Sequence, residues 1–241
     1  MNAIETQGLS KQYGDLTAVK GLDLTIREGE LFALLGVNGA GKSTTIKMLS
    51  CLARPTGGDA LLLGHSILTD SASVKRLISV SPQETAVAPN LSVRENLELM
   101  AGIYGGRDGA RQAGAVMEEL GLAEVAHRRA KVLSGGWQRR LSIAMALITQ
   151  PKILFLDEPT LGLDVLARRE LWQVIERLKG SVTTILTTHY LEEAEALADR
   201  VGIMAVGELR AVGTAEELKA LAGTADFEEA FVALSTGKGA A

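Results

Sequence analysis

The stretch "LFALLGVNGAGKST", residues 31–44, constrains this chain more than any other. Its apolar opening reads as a short strand buried on both faces. A glycine-rich turn follows, and then "KSTTIKMLS", a helical pattern. Gly36, Gly41, Lys42 and Ser43 match the spacing of a phosphate loop. Glycines there, Gly39 among them and Asn38 beside it, let backbone N–H groups close around phosphate oxygens. Lys42 adds positive charge at the β and γ phosphates. The hydroxyl of Ser43, with Thr44 next to it at the helix start, can ligate Mg²⁺.

Two further runs resemble that first strand. "ILFLDE" (153–158) is apolar and ends in Asp157 and Glu158; "TTILTTH" (183–189) is β-branched and ends in His189. Ligands of open α/β sheets sit outside the carboxyl ends of strands. Asp157 is therefore a candidate to hold Mg²⁺ through water, and Glu158 to take a proton from an attacking water. His189 belongs at the same sheet edge, within reach of a γ phosphate. Between these strands, Leu171, Val174, Ile175 and Leu178 share a helix face, with Asp164 at the N-cap position and Gly180 at the stop. Strands alternating with helices predict an α/β core with a mainly parallel sheet.

Residues 84–151 differ, because their patterns are almost all helical. "SVRE" (92–95) has the form of a capping box. Val93, Leu97, Met100 and Tyr104 then fall on one face, and Gly105 and Gly106 interrupt the pattern. This reads as a helical lobe inserted into the α/β core. Gln83 stands where the core gives way to the lobe, so it is a candidate to sense Mg²⁺ or water and report to the lobe. The chain closes on a short amphipathic helix (Phe227, Ala230, Phe231, Leu234) and a small-residue tail expected to be disordered.

Composition excludes other classes. The balance of 25 basic and 29 acidic residues, a net charge of −4, leaves no basic footprint for nucleic acid. Cys51 is the single cysteine, so it forms no internal disulfide and reads as a small buried apolar residue. The N-terminus lacks the pattern of a secretion signal, and the longest uncharged stretch, Gly180 to Leu191, spans only 12 residues. A cytoplasmic protein able to dock onto a membrane partner is expected.

A second glycine turn, "LSGGWQRRL" (133–141), also runs into a helix, and helix starts suit anions. Taken in order, the motifs resemble the ATP-binding subunit of an ABC transporter over roughly residues 4–215. Tyr13 matches the adenine-stacking residue, "GVNGAGKST" the Walker A loop, Gln83 the Q-loop, "LSGGW" the signature, "ILFLDE" Walker B, "LGLD" (161–164) the D-loop and His189 the switch histidine. GTPases share the phosphate loop, but the Asn-Lys-x-Asp base reader is absent. The resemblance implies a P-loop NTPase (RecA-like) core, the inserted helical subdomain and a small N-terminal antiparallel β part. It divides the chain into a cassette over 1–220 and a C-terminal helix and tail over 221–241.

It further implies ATP and Mg²⁺ as cofactors, a separate permease as partner, and a second cassette, either a copy or a different chain. In such a pair, Ser134, Gly135 and Gly136 close over a nucleotide held by the partner's phosphate loop. Trp137 stands where the family usually has Gln, with Gln138 next, and Val37 replaces the common proline. The versions "LSGGWQRRL" and "THYLEEAEALADRVGIM" look most like the branch that exports drugs, antibiotics, lipids or polysaccharides. A soluble ABC-type ATPase with a non-transport partner is the alternative, but its translation members carry two cassettes and its chromosome members a long coiled-coil insertion. Location on the inner face of the cell membrane follows for a permease-bound subunit.

Overall fold

The computed structural model describes residues 1–104 and 108–237. The expected glycine break at 105 and 106 and the tail at 238–241 lie outside them. The chain opens with β1 (Asn2–Tyr13), β2 (Leu16–Arg27) and β3 (Leu31–Leu35), then α1 (Lys42–Leu49), β4 (Gly57–Leu62), β5 (His65–Ser66), α2 (Ser71–Leu77) and β6 (Ile78–Ser81). Three helices come next, α3 (Val93–Tyr104), α4 (Gly109–Glu119) and α5 (Gly135–Leu147). The rest alternates: β7 (Ile153–Asp157), α6 (Val165–Glu176), β8 (Thr183–Thr188), α7 (Leu191–Leu197), β9 (Arg200–Ala205), β10 (Glu208–Gly213), α8 (Ala215–Ala222) and α9 (Phe227–Thr236).

Two sheets result. The larger has the order β10-β9-β3-β8-β7-β6, parallel except for the β9–β10 pair. The smaller, β2-β1-β4-β5, is antiparallel throughout. Strand β3 shows why an unbroken apolar run was needed. Leu31, Ala33 and Leu35 join a core with Val93, Leu97, Met117 and Leu141 of the helical stretch and Phe227 of α9. Phe32 and Leu34 point the other way and join Ile4, Leu22 and Ile26 of the antiparallel sheet and Ile46 of α1. Period-two alternation thus fastens different layers to opposite faces of one strand. Each leucine or phenylalanine so buried contributes about 1.5–3 kcal/mol.

Local signals hold in detail. The N–H of Glu95 donates to Ser92 Oγ at 3.2 Å and that of Ser92 to Glu95 Oε2 at 2.7 Å, completing the capping box. Asp164 accepts from the N–H groups of Leu166 and Ala167, each at 3.0 Å. Two expectations shift. Tyr104 is 62% exposed and Met100 only partly covered, because the buried stripe of α3 runs through Val93, Asn96, Leu97 and Ala101. Asn96 is there to satisfy backbone: its side chain donates to the carbonyls of Ala88, Leu91 and Ser92 and accepts from the N–H of Ala88. Cys51 is half-buried rather than enclosed, and its backbone is left-handed at φ +58° just past α1.

Candidate active site

Strands β3, β7 and β8 end level with one another: Leu35 is paired with Thr188, and Asp157 with Thr187. The residues that follow therefore meet at one sheet edge. The glycine loop packs tightly there. At Gly41, φ is +105°, and a Cβ would lie 2.5 Å from the carbonyl oxygen of Ala18, so only glycine fits. At Gly36 a Cβ would strike the carbonyl oxygen of Met204. No side chain caps α1 at its N-terminus, leaving its first N–H groups facing the loop.

The side chain of Lys42 is almost fully buried. Its Nζ donates to the carbonyls of Gly36 at 2.7 Å and Val37 at 3.2 Å, and lies 3.5 Å from Glu158 Oε1. Burial pulls its pKa below the ordinary lysine value, against the pull of Glu158 and then Asp157. Asp157 Oδ1 accepts from Ser43 Oγ at 3.0 Å and from Thr187 Oγ1 at 2.6 Å. Loop and strand end are thus linked through the two hydroxyl-bearing residues that flank the carboxylate.

Glu158 is the strained residue. Its φ is +47°, a left-handed conformation that costs a non-glycine residue about 1–3 kcal/mol unless its surroundings hold it. They hold it on both sides. Its N–H donates to Thr187 Oγ1 at 3.0 Å and its carbonyl accepts from Arg139 Nη2 at 3.1 Å. The carboxylate reaches Lys42 with one oxygen, and its other oxygen lies 3.0 Å from His189 Nδ1, close but not aligned as a hydrogen bond.

A cavity of about 550 Å³ lies over this edge. Tyr13, Asn38, Gly39, Gly41, Lys42, Ser43, Thr44, Gln83 and Glu158 all line it. Gly36 lies beneath Lys42, whose ammonium its carbonyl accepts, while Asp157 and His189 join the set through Ser43 and Glu158. Tyr13, at the end of β1, is 47% exposed with Lys11 Nζ 4.9 Å over its ring. Ala18, Val206 and Gly207 also line the cavity. Their sequence carries no signal, because they arrive from β2 and the β9–β10 turn only in the folded chain.

Ser134, Gly135 and Gly136 are not among the residues lining that cavity. Ser134 is the N-cap residue of α5, yet its side chain makes no capping bond, so its hydroxyl is uncommitted. Gly135 and Gly136 pack beside Leu163 and Ala167 at the start of α6. Trp137 turns into the core and stacks under Arg140, whose guanidinium carbon is 4.5 Å from the ring centre. Gln138 Nε2 instead braces the turn, donating to the carbonyls of Ala130 at 3.0 Å and Leu133 at 3.2 Å.

The chain is similar to known proteins. The family described as ABC transporter matches residues 19–161. The daunorubicin/doxorubicin resistance ATP-binding protein DrrA of Streptomyces peucetius is 43% identical over 225 residues, 92% of this chain and 68% of that protein. The linearmycin resistance ATP-binding protein LnrL of Bacillus subtilis is 40% identical, across 89% of this chain and 70% of its own length. Among solved structures, the dimeric post-hydrolysis state of the ATP-binding cassette MJ0796 bound to ADP and Pi superposes with a TM-score of 0.76 at 27% identity, covering 88% of this chain and 98% of that one. The chain belongs to the ABC transporter family and is an ATP-binding, ATP-hydrolysing subunit.

Proposed function

We propose that this chain hydrolyses ATP in a site shared with a second cassette and so drives a separate membrane permease that exports its cargo. The drug-resistance names of its relatives support export. Among the described residues no helix is long and apolar enough to cross a membrane, which fits a subunit peripheral to a permease on the inner face.

Tyr13 stacks on adenine. The loop N–H groups from Asn38 to Thr44 and the ammonium of Lys42 hold the phosphates. Ser43 and Asp157 offer two hard oxygen ligands already in contact at 3.0 Å, which suits Mg²⁺, a cation that takes most of its ligands from phosphate and water. Bound there, Mg²⁺ would offset phosphate charge. Once phosphate oxygens engage Lys42, Glu158 keeps His189 as its neighbour and is free to accept a proton from water. His189 orients toward the γ phosphate, and Gln83 reports the state of the site to the lobe.

The observation that carries the shared site is the separation of the signature turn from the cavity holding Lys42. Lys42→Ala and Ser134→Arg chains should each be nearly inactive alone. Mixed, they form some pairs in which one site joins an intact phosphate loop to an intact signature. ATPase activity should return in part and rise faster than linearly with protein concentration. No return at any concentration would sink the shared-site reading.

A further inference from the structure

Arg139 follows the signature turn within "LSGGWQRRL" but carries none of the roles assigned above, yet it touches two separate segments of the site. It follows Ser134 by five residues on α5, about 7 Å along the helix axis. The residue is 3% exposed, on the buried face of α5 with Ser142 and Ile143. Its Nη1 donates to the carbonyl of Pro82 at 2.5 Å, and its Nη2 to the carbonyls of Gln83 at 2.6 Å and Glu158 at 3.1 Å. Only a planar guanidinium spans acceptors on two separate segments in this way.

We propose that Arg139 is a positioning residue for hydrolysis, which locks the signature-bearing helix to the backbone of Gln83 and of Glu158. The proposal rests on the reading of Glu158 as general base. The backbone of Glu158 is left-handed and therefore needs holding from both sides. Thr187 holds its N–H, while Arg139 and the N–H of Leu161 hold its carbonyl. Of these anchors only Arg139 comes from the helical stretch. A load placed on the Ser134 turn by a second cassette's nucleotide passes down α5 to this guanidinium. It then reaches the starting points of both the Gln83 and the Glu158 side chains. The signature of one chain thereby sets the geometry of its own base, while it closes over the partner's nucleotide.

The test uses the full chain carrying Arg139→Lys or Arg139→Gln, each also combined with Glu158→Gln. Binding of a fluorescent ATP analogue, melting temperature, KM, kcat and single-turnover rate are measured. Lysine keeps the charge but cannot span the acceptors. Arg139→Lys should leave ATP affinity and KM within about twofold and lower kcat about tenfold or more, with Arg139→Gln falling further, since an ångström of misplacement costs up to about a hundredfold. In the Glu158→Gln background neither substitution should lower the rate again, because Arg139 acts through Glu158. Unchanged kcat in the single variants overturns the proposal. So does a joint collapse of melting temperature and ATP binding, which marks a structural brace, or a full further loss in the Glu158→Gln background. Failure of the general-base reading shows separately, as near-normal turnover in Glu158→Gln alone, and takes the positioning role with it.

Discussion

Single residues at this site do their work through burial and backbone anchoring more than through charge count. Thr187 looks in sequence like any β-branched strand residue, yet its hydroxyl both donates to Asp157 and accepts from the N–H of Glu158. Glu193, four residues after His189, is fully buried and accepts from Trp172 Nε1 at 3.1 Å. Burial raises its pKa, opposed by the nearby hydroxyls of Thr188 and Thr160, by the hydrogen bond from Trp172 and by the charge of Arg168. A carboxyl raised in the folded state favours folding fully below its ordinary value of 4.5, and that contribution is lost as pH climbs through the raised value. Glu193→Gln does not titrate. Its melting temperature, measured against that of the unmodified chain, should therefore gain on it steadily as pH rises above about 4.5 toward neutrality. Melting curves that stay a constant distance apart across that range would mean that Glu193 does not titrate with folding.

Elements carry the next layer. Helix α3 buries one stripe and leaves Leu99, Ile103 and Tyr104 48%, 61% and 62% exposed. A row of large apolar side chains on an exposed helix is an interaction face. On the proposed reading, this face and the segment from Gln83 together would form the groove for a permease helix. Ile103→Glu should cost no more than about 0.5 kcal/mol of stability, as exposed substitutions do. It should leave basal ATPase activity near normal while cargo transport in reconstituted vesicles falls severalfold. Loss of ATP binding with the permease still attached would place Ile103 in the nucleotide site instead. Helix α5 is the element with two roles, since its N-terminal turn stands apart from the cavity while its buried face meets the backbone of Gln83 and Glu158.

At the scale of the whole molecule, the proposed shared site ties hydrolysis to pairing. In a site shared by two cassettes both halves hold the γ phosphate, so a loaded pair should come apart once that phosphate is cut and released. Glu158→Gln should bind ATP normally and hydrolyse it at least about a hundredfold more slowly, the usual cost of losing a general base. It should then elute with the mass of a dimer in ATP and of a monomer in ADP. A monomer in both nucleotides, with hydrolysis abolished, would separate catalysis from pairing.

Sequence alone determined whatever depends on neighbours along the chain. The buried strands at 31–35, 153–157 and 183–188 are legible because a strand covered on both faces must be apolar at every position or satisfy its own hydroxyls, as β8 does. The phosphate loop, the capping box at Ser92 and the cap at Asp164 are legible for the same reason, since their bonds close within three residues or through their own glycines. Tertiary structure decided the rest. Arg139 was a charged residue in a helical run until folding set it against carbonyls 19 to 57 residues away. Trp137 stood at a polar position of a motif until the core gave it apolar neighbours and Arg140 above its ring. The left-handed backbone of Glu158 has no sequence mark at all, because the side chains that hold it come from β8 and α5. Contacts of that range depend on how layers stack, and no local spacing records it.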